Sequence, residues 1–383
     1  MDSPARADAV ATPAQRREFI AFPKRLYHGV SQWVPMFDSD MRKLMKRQHP
    51  YFDHSPAEFY LLTSAGRTVG RVMVMANHRY NKEHDLHCSH FYFADFVDNP
   101  AASRALFATV ADWARRSGQD TLIGPLFSGA SIGGGVLIEG FEHPAAMTMM
   151  GYNHAYYAHH YEDAGFKKRF DLNSLRGNPV GFKLPERVER LADRVRERGR
   201  MSVAPVHTKR QLKNAADKVA AVYNPTLADH SENYPLTDEE LELIKKDLLL
   251  IAKPELEKFI EYDGDVVGYI LAFPDITRAI QRSRGKLGPI SIARLLLESK
   301  RTRKIIFNGM GILDDYQRLG GNALLYSELA RTVTQSGKYT FDDAEMCQIN
   351  EETELMLSDM ATIGAKVFKR HRVYQRPVQT EGI

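Results

Sequence analysis

The same order of predicted elements occurs twice along this chain of 383 residues. Each half contains a hairpin, another strand, a helix, a strand, a helix and a closing strand, and the hairpins turn at Ala65–Gly66 and Asp263–Gly264. Alternating apolar residues indicate the strands, and apolar residues spaced three or four apart indicate the helices. Two copies of such a unit predict an α/β architecture, an α+β mixed sheet flanked by helices.

The length suits two domains, because domains usually contain about 100–200 residues. We predict a disordered lead-in over residues 1–17, a first domain over 18–180, a helical linker over 181–205 and a second domain over 206–383. Hydrophobic residues make up 43% of the chain and charged residues 26%, which excludes wholesale disorder. The N-terminus has no apolar core of signal length, and two cysteines exclude a disulfide framework, so we expect a cytoplasmic protein.

The longest uncharged run, Thr121–Ile138, is long enough to cross a bilayer but contains five glycines and a proline. A lipid-exposed backbone interrupted so often could not satisfy its own hydrogen bonds. The run therefore predicts a buried strand followed by a glycine-rich loop.

The sharpest motif is the run QRLGGNA at residues 317–323, between a predicted strand and an amphipathic helix. Glycines let a backbone approach a ligand closely, and the free N–H groups at a helix N-terminus favour a bound anion. An arginine adds a permanent positive charge. The run predicts a pyrophosphate-binding loop, although an ordinary glycine turn before a helix has the same pattern. The residues expected to bind the phosphates are Gln317, Arg318, Gly320, Gly321, Asn322 and Ala323.

This run resembles the Q/R-x-x-G-x-G/A pyrophosphate loop of the GNAT acyltransferases, with Asn322 where that family prefers glycine or alanine. The first half lacks such a loop but has Asn153 and the run YEDAGF at 161–166, which resembles the end of the last GNAT helix. The resemblance implies acyl-CoA in the second half and Tyr161 as a general acid near the thioester sulfur. In the second half, Met360 stands where that tyrosine would align.

Further runs extend the resemblance from about residue 18 to residue 377, among them GP-x-x-S-x-x-x-x-G-G, PLT-x-x-E and HRVYQR. Together they resemble a bacterial family of double-GNAT proteins that includes the bacterial ceramide synthases. The resemblance implies that a fatty acyl-CoA is the co-substrate and that a long-chain sphingoid amine, sphinganine or 3-ketosphinganine, is acylated to a (dihydro)ceramide. The amine would attack the thioester directly, without a metal or a covalent enzyme intermediate.

One predicted helix of the first half is crowded with aromatic and histidine side chains. A histidine suits the proposed chemistry because a base with a pKa near neutrality can deprotonate an ammonium group. The same residues also fit ordinary aromatic packing beside solvated histidines. The predicted bases are His159 and His160, and the predicted contacts to the acyl chain or the acceptor are Phe127, Tyr156 and Tyr157.

Asp343, Glu345 and Cys347 alternate along a predicted central strand of the second half. We expect Glu345 to be the carboxylate that accepts the amine proton, and Asn350 to contact the substrate. A polar strand edge facing solvent would show the same alternation.

The segment Arg278–Lys304 carries nine Lys or Arg residues and one acid, a local net charge of +8, with isoleucines and leucines in between. This pattern predicts a basic amphipathic element for an anionic membrane surface or an acyl-chain gate. A solvated helix face beside an apolar stripe also fits it. Nucleic acid is not expected, because no reader motif accompanies the charge. We expect the protein to contact the inner face of the cytoplasmic membrane peripherally.

Two other functional classes stay open. A FemABX-like aminoacyl or peptidyl transferase would need a long basic surface for tRNA and no pyrophosphate loop. A non-catalytic acyl-CoA or lipid-binding protein fits the missing tyrosine at Met360.

Overall fold

The structure, a computed structural model, describes residues 4–127, 133–226 and 232–378. The elements of the first half are β1 (Arg6–Ala9), α1 (Pro13–Leu26), α2 (Asp38–Met45), β2 (Ala57–Ser64), β3 (Arg67–Met75), α3 (His78–His84), β4 (Cys88–Phe96), α4 (Pro100–Arg116), β5 (Thr121–Gly124), β6 (Val136–Glu139), α5 (Tyr156–Asp163) and β7 (Lys167–Gly177). The elements of the second half are α6 (Glu186–Arg198), β8 (Met201–Val203), α7 (Lys209–Thr226), α8 (Asp238–Ile251), β9 (Lys258–Tyr262), β10 (Asp265–Pro274), α9 (Thr277–Ser283), α10 (Pro289–Arg301), β11 (Lys304–Ile312), α11 (Gly321–Thr334), β12 (Asp343–Asn350), α12 (Glu354–Thr362) and β13 (Lys366–Pro377).

Both halves follow one plan: a short strand, two helices, three strands, a helix, a strand, a helix and a long closing strand. The elements β6, α3, α6, α9 and α10 are additions to this plan. This repeat confirms the predicted α/β class with a mixed sheet. In the structure, each copy begins with a strand and two helices that the predicted unit lacks.

The lead-in expected over residues 1–17 is not disordered where the structure describes it, and residues 1–3 lie outside the described residues. Strand β1 pairs antiparallel with β2 at the edge of the sheet. Helix α1 then begins at Pro13, where Thr12 and Gln15 form a reciprocal capping box. The prediction was wrong because a four-residue edge strand containing charged residues has no apolar alternation to reveal it.

The two closing strands, β7 and β13, are exchanged between the halves. The described strands form one sheet in the order β1-β2-β3-β4-β5-β13-β7-β12-β11-β10-β9-β8, and β6 pairs with β13. Strand β13 therefore lies beside β5 of the first half, and β7 lies beside β12 of the second half. The two strands also pair antiparallel with each other, from Lys366 opposite Arg176 to Gln375 opposite Lys167. Each closing strand thus completes the sheet of the opposite half.

The segment predicted as a helical linker, residues 181–205, contains α6, which packs on α11. Val195 of α6 shares a buried core with Leu324 of α11. Arg196 Nη2 lies 2.8 Å from a carboxylate oxygen of Glu328. Helix α6 is thus packed into the second half.

Each half contains one parallel strand pair that separates after a few residues. Strands β4 and β5 pair only over Cys88–His90 and Thr121–Ile123. Strands β11 and β12 pair only over Lys304–Phe307 and Asp343–Met346. Beyond these points, none of the strands in the described part of the chain lies between the facing backbone edges, so each separation can accommodate either side chains or a ligand.

Aromatic rings pack the separation in the first half. The rings of Phe96 and Tyr157 stack with centroids 4.4 Å apart, and those of Phe107 and Tyr161 meet edge to face at 4.8 Å. Such pairs contribute about 0.5–1.5 kcal/mol each beyond the area that they bury. Among the described residues, these rings narrow the first separation, and the cavity that remains beside Tyr92, Pro125 and Tyr157 has a volume of only about 110 Å³.

The exchanged strands lead us to expect that both halves unfold together. Both tryptophans, Trp33 and Trp113, lie in the first half, whereas helices and strands of both halves contribute to far-UV circular dichroism. In urea, the tryptophan fluorescence and far-UV transitions should therefore have the same midpoint. A fluorescence transition at a clearly different urea concentration would show that the exchange does not couple the halves.

Candidate functional site

A cleft of about 1260 Å³ opens where β11 and β12 separate. Its volume exceeds the roughly 300–1,000 Å³ that is usual for a single small-molecule site. Its walls come from both halves of the chain, because Phe127 and Phe170 of the first half line it together with Phe307 and Met346 of the second. The cleft therefore has room for more than one ligand or for a long chain.

The loop over residues 317–323 lies at this cleft and leads into α11. Arg318 and Gly320 have positive φ angles of 60° and 90°, which turn the chain into the helix at Gly321. A Cβ atom at Gly320 would lie 2.7 Å from Cγ2 of Val195 on α6, so this position requires glycine on two grounds. The first N–H groups of α11 have no partner within the helix and favour an anion.

Four of the six residues predicted to hold phosphate line the cleft: Gln317, Arg318, Gly321 and Asn322. Gly320 and Ala323 are buried and shape the turn. Nδ2 of Asn322 donates to Oδ2 of Asp359 at 2.7 Å, and the Tyr326 hydroxyl donates to the same oxygen at 3.2 Å. The residue that departs from the family pattern thus ties the start of α11 to α12.

The charge of the cleft was not foreseen from the sequence. Among the described residues that line it, Arg318 is the single cation. The carboxylates that line it are Glu83, Glu232, Asp314, Glu352, Glu354 and Asp359. These residues come from separate loops and helices, so no local charge run marks them. The cleft is acidic, with one guanidinium at the glycine loop.

Glu232 is the carboxylate of this set that joins the two halves. The Tyr80 hydroxyl donates to Glu232 Oε2 at 3.0 Å, and Arg169 Nε donates to Oε1 at 2.9 Å. Its side chain is 13% exposed. Burial raises the pKa of Glu232 against the lowering effect of Arg169. The only sequence signal for this residue is its place shortly before the run PLT-x-x-E, which carries no chemistry of its own.

Glu345, the predicted base, does not line the cleft formed by the described residues. Its side chain is fully buried. Nζ of Lys304 lies 2.5 Å from Oε2, and Nζ of Lys369 lies 2.6 Å from Oε1. Its neighbours on β12, Ala344 and Met346, line the cleft instead. Glu345 is therefore the centre of a buried ion triplet that joins β11, β12 and β13.

The tyrosines predicted to act in catalysis or binding are packed away from the cleft that the described residues form. Tyr161 is fully buried, and its ring stacks on Tyr374 with centroids 5.0 Å apart. The Tyr157 hydroxyl lies 2.9 Å from that of Tyr27, and the Tyr156 hydroxyl donates to the carbonyl of Phe96 at 2.6 Å. The placements of Tyr156, Tyr157 and Tyr161 correspond to the packing interpretation of this helix.

The two predicted histidine bases are also remote from the described cleft walls. His160 is buried, with one ring nitrogen 2.9 Å from Ser103 Oγ and the other 2.9 Å from Asp98 Oδ1. His159 is 75% exposed and pairs with Asp163 at 3.0 Å. Neither placement fits a base for a reaction in the cleft. Of the predicted substrate contacts, Phe127 and Asn350 do line it.

The glycine-rich loop of the first half meets β12 in the cleft, although residues 128–132 lie outside the described residues. The Gln348 side chain accepts from the Gly134 N–H at 3.0 Å and donates to its carbonyl at 2.8 Å. A Cβ atom at Gly133 would lie 2.0 Å from Oε1 of Gln348. The glycines are thus needed for close contact between the halves.

Replacing Glu345 with glutamine should destabilise the fold rather than remove a base. Lys304 and Lys369 would remain largely buried without their counter-ion, at a cost of about 3–5 kcal/mol in the free energy of unfolding. Asp343→Asn is the matched control, because its pair with the half-exposed Arg176 is worth only about 0.2–1 kcal/mol. Urea unfolding measures both, and equal midpoints for the two variants would contradict the prediction.

No protein-family model matches the chain. The chain is 27% identical over 369 residues to protein YghO of Escherichia coli K12, covering 94% of this chain and 93% of that protein. It is 27% identical over 377 residues to the bacterial ceramide synthase of Caulobacter vibrioides, covering 96% of each chain. Among solved structures, a tandem GNAT protein from the clavulanic acid biosynthesis pathway superposes with a TM-score of 0.55 at 11% identity, covering 99% of this chain and 100% of that one. The chain thus has the fold of a tandem GNAT protein and resembles the bacterial double-GNAT proteins, ceramide synthase among them, over nearly its whole length.

Proposed function

We propose that the chain is an acyl-CoA-dependent N-acyltransferase that transfers a fatty acyl group to the amine of a long-chain sphingoid base, sphinganine or 3-ketosphinganine. The observation that carries this proposal is the open separation of β11 and β12 beside the loop at 317–323. The similarity to a ceramide synthase over 96% of the chain supports the choice of a lipid amine.

The donor site follows from the shape of the cleft. The pyrophosphate of CoA would bind at the start of α11, next to Arg318. Beyond Phe307 and Met346 the strand edges facing each other are not paired with one another, so the amide groups of the pantetheine arm could pair with one of them as an added strand does. The thioester would then lie between the separated strands.

The walls of the cleft suit a long apolar chain. Phe170, Leu172, Phe182, Leu184 and Ile349 line it near the exchanged strands. Burying each methylene of a fatty acyl chain contributes about 0.8 kcal/mol. Such a wall favours a fatty acyl donor over an acetyl donor.

The transfer is a direct attack of the amine nitrogen on the thioester carbonyl. Cys347 is the cysteine that lines the cleft, but burial raises the pKa of its thiol, and Glu345 nearby raises it further. Since the thiolate is the reactive form, this environment disfavours a covalent cysteine intermediate.

Reversing the charge of Arg318 should weaken the binding of CoA. Loss of one charge-assisted contact costs about 1.5–3 kcal/mol, which is about a 10- to 100-fold rise in the dissociation constant. Arg67→Glu makes the same charge change at an exposed hairpin in the first half and should leave the affinity unchanged. Isothermal titration calorimetry with CoA measures both variants. Equal affinities would place the donor site elsewhere and remove the main support for the proposal.

The acceptor would come from a membrane, which α10 is suited to contact. Among the described residues, no helix has the length and apolar character needed to cross a bilayer. Helix α10 contains no buried residue, and Ile290, Ile292, Leu296 and Leu297 are each 45–70% exposed along it. The connection between β3 and β4, which corresponds to this position in the first half, has only α3. With its nine cations, the segment Arg278–Lys304 complements an anionic lipid surface.

Shortening the apolar side chains of α10 should release the protein from vesicles. Ile292→Ser together with Leu296→Ser removes two exposed side chains that would each contribute up to about 1.5–3 kcal/mol on insertion. Val180→Ser with Val367→Ser is the control, since both valines are exposed away from α10. Co-sedimentation with phosphatidylserine-containing vesicles should fall at least about tenfold for the first pair only. Unchanged sedimentation of the α10 variant would show that this helix face is only solvated.

A further inference from the structure

We propose that Glu232 contacts the ammonium group of the acceptor amine and takes its proton before or during attack on the thioester. This inference rests on the proposed function, because it assigns the acceptor end of the same cleft. It replaces Glu345, His159 and His160, none of which lines the cleft that the described residues form.

Glu232 lies apart from the donor loop and is held by residues of the first half. Glu232 precedes α8 in the second half, but its partners Tyr80 and Arg169 belong to α3 and β7 of the first half. The glycine loop and Arg318 mark the donor end of the cleft on α11. Glu232 is held by none of the α11 residues, so it is available for a second ligand in the same cavity.

Glu232 differs from the other carboxylates that line the described cleft in its burial and its partners. Those of Glu83, Asp314, Glu352 and Glu354 are on exposed residues. Asp359 is partly buried, but it accepts hydrogen bonds from Asn322 and Tyr326 at the start of α11. Glu232 alone in this set is both partly buried and anchored away from the donor loop.

The surroundings of the Glu232 carboxylate favour its protonated form more than water does. Burial and the nearby Glu352 raise the pKa of Glu232, and Arg169 and the Tyr80 hydroxyl oppose that rise without cancelling it. The ring of His90 packs edge to face against that of Tyr80. Burial lowers the pKa of His90 to about 3, so this ring is neutral near pH 7. Arg169 is the positively charged group that donates a hydrogen bond to Glu232. Because the pKa of Glu232 is raised, its carboxylate is a stronger base than a carboxylate in water.

The chemical step balances with the groups named. The acceptor enters as R–NH₃⁺ and gives one proton to the Glu232 carboxylate, which later releases it to solvent. The free nitrogen lone pair forms the C–N bond, and the C–S bond of the thioester breaks. The second proton leaves the nitrogen and ends on the CoA sulfur, so the products are an amide and CoA thiol.

The ammonium contact can be tested without turnover. Calorimetry on the full chain compares dodecylamine with dodecanol, which has the same chain but no charge. Wild type should bind the amine more tightly than the alcohol. In Glu232→Gln the ratio of the two affinities should be about 10- to 100-fold smaller, as expected for the loss of one charge-assisted contact. Glu186→Gln is the control, because it removes an exposed, arginine-paired glutamate at the start of α6. Equal binding of amine and alcohol by wild type would overturn the inference.

Proton transfer is tested by turnover with a fatty acyl-CoA and sphinganine. Glu232→Gln should lower kcat about 10²–10⁴-fold with the affinity for CoA unchanged, which also shows that the variant is folded. The wild-type rate should fall as the pH drops through the raised pKa of Glu232, and the variant should lack this dependence. Glu232→Asp keeps a charged partner for Arg169, so reduced turnover with a retained amine preference would support proton transfer over a merely structural role.

The two proposals fail in different ways. If wild type prefers the amine through Glu232 but transfers no acyl group, the proposed function is wrong and the ammonium site stands. If wild type transfers acyl groups and Glu232→Gln keeps both the full rate and the amine preference, the assignment of Glu232 is wrong.

Discussion

The exchange of β7 and β13 is the constraint on which the rest of the structure depends. These strands lie at the centre of the sheet, and each pairs with the other and with a strand of the opposite half. A backbone hydrogen bond left unmade in a buried sheet costs about 1–3 kcal/mol, so neither half can withdraw its closing strand without exposing the other. The ion triplet of Glu345 with Lys304 and Lys369 and the contacts of Gln348 with Gly134 lie across the same junction.

The exchange of the closing strands also explains why both copies supply walls of the large cleft. Both copies contain a parallel strand pair that separates. Aromatic rings narrow the separation of the first copy to a cavity of about 110 Å³, whereas the separation of the second copy opens into the cleft of about 1260 Å³. The open cleft is then walled by the first copy, through Phe127, Phe170 and the partners of Glu232. The first copy, whose own strand separation is narrowed by side chains, therefore still shapes the cleft of the second copy.

The helices and strands could be predicted from the periodicity of apolar residues. The contacts between elements distant in sequence could not. The turns at Ala65–Gly66 and Asp263–Gly264 and the loop at 317–323 lie where the sequence predicts them, because glycine and strand alternation are local signals. Alternation along β12 placed Glu345 on one face of the strand but did not show that its neighbours Ala344 and Met346 line the cleft. Tyr161 matches a family motif, yet the aromatic packing that buries it depends on residues distant in sequence. No local pattern identifies Glu232, since Tyr80 and Arg169 reach it only in the folded chain.

The acidic lining of the cleft should make the binding of CoA depend on ionic strength. CoA carries several negative charges, and apart from Arg318 the described charged residues of the cleft would repel it. Dissolved salt screens such repulsion, with a Debye length of about 8 Å at physiological ionic strength, so added salt should ease the approach of the donor. The same screening weakens the attraction between the cations near α10 and an anionic bilayer. Under the proposed function, donor capture and acceptor collection would therefore respond to salt in opposite directions, and we expect activity to be highest at an intermediate ionic strength.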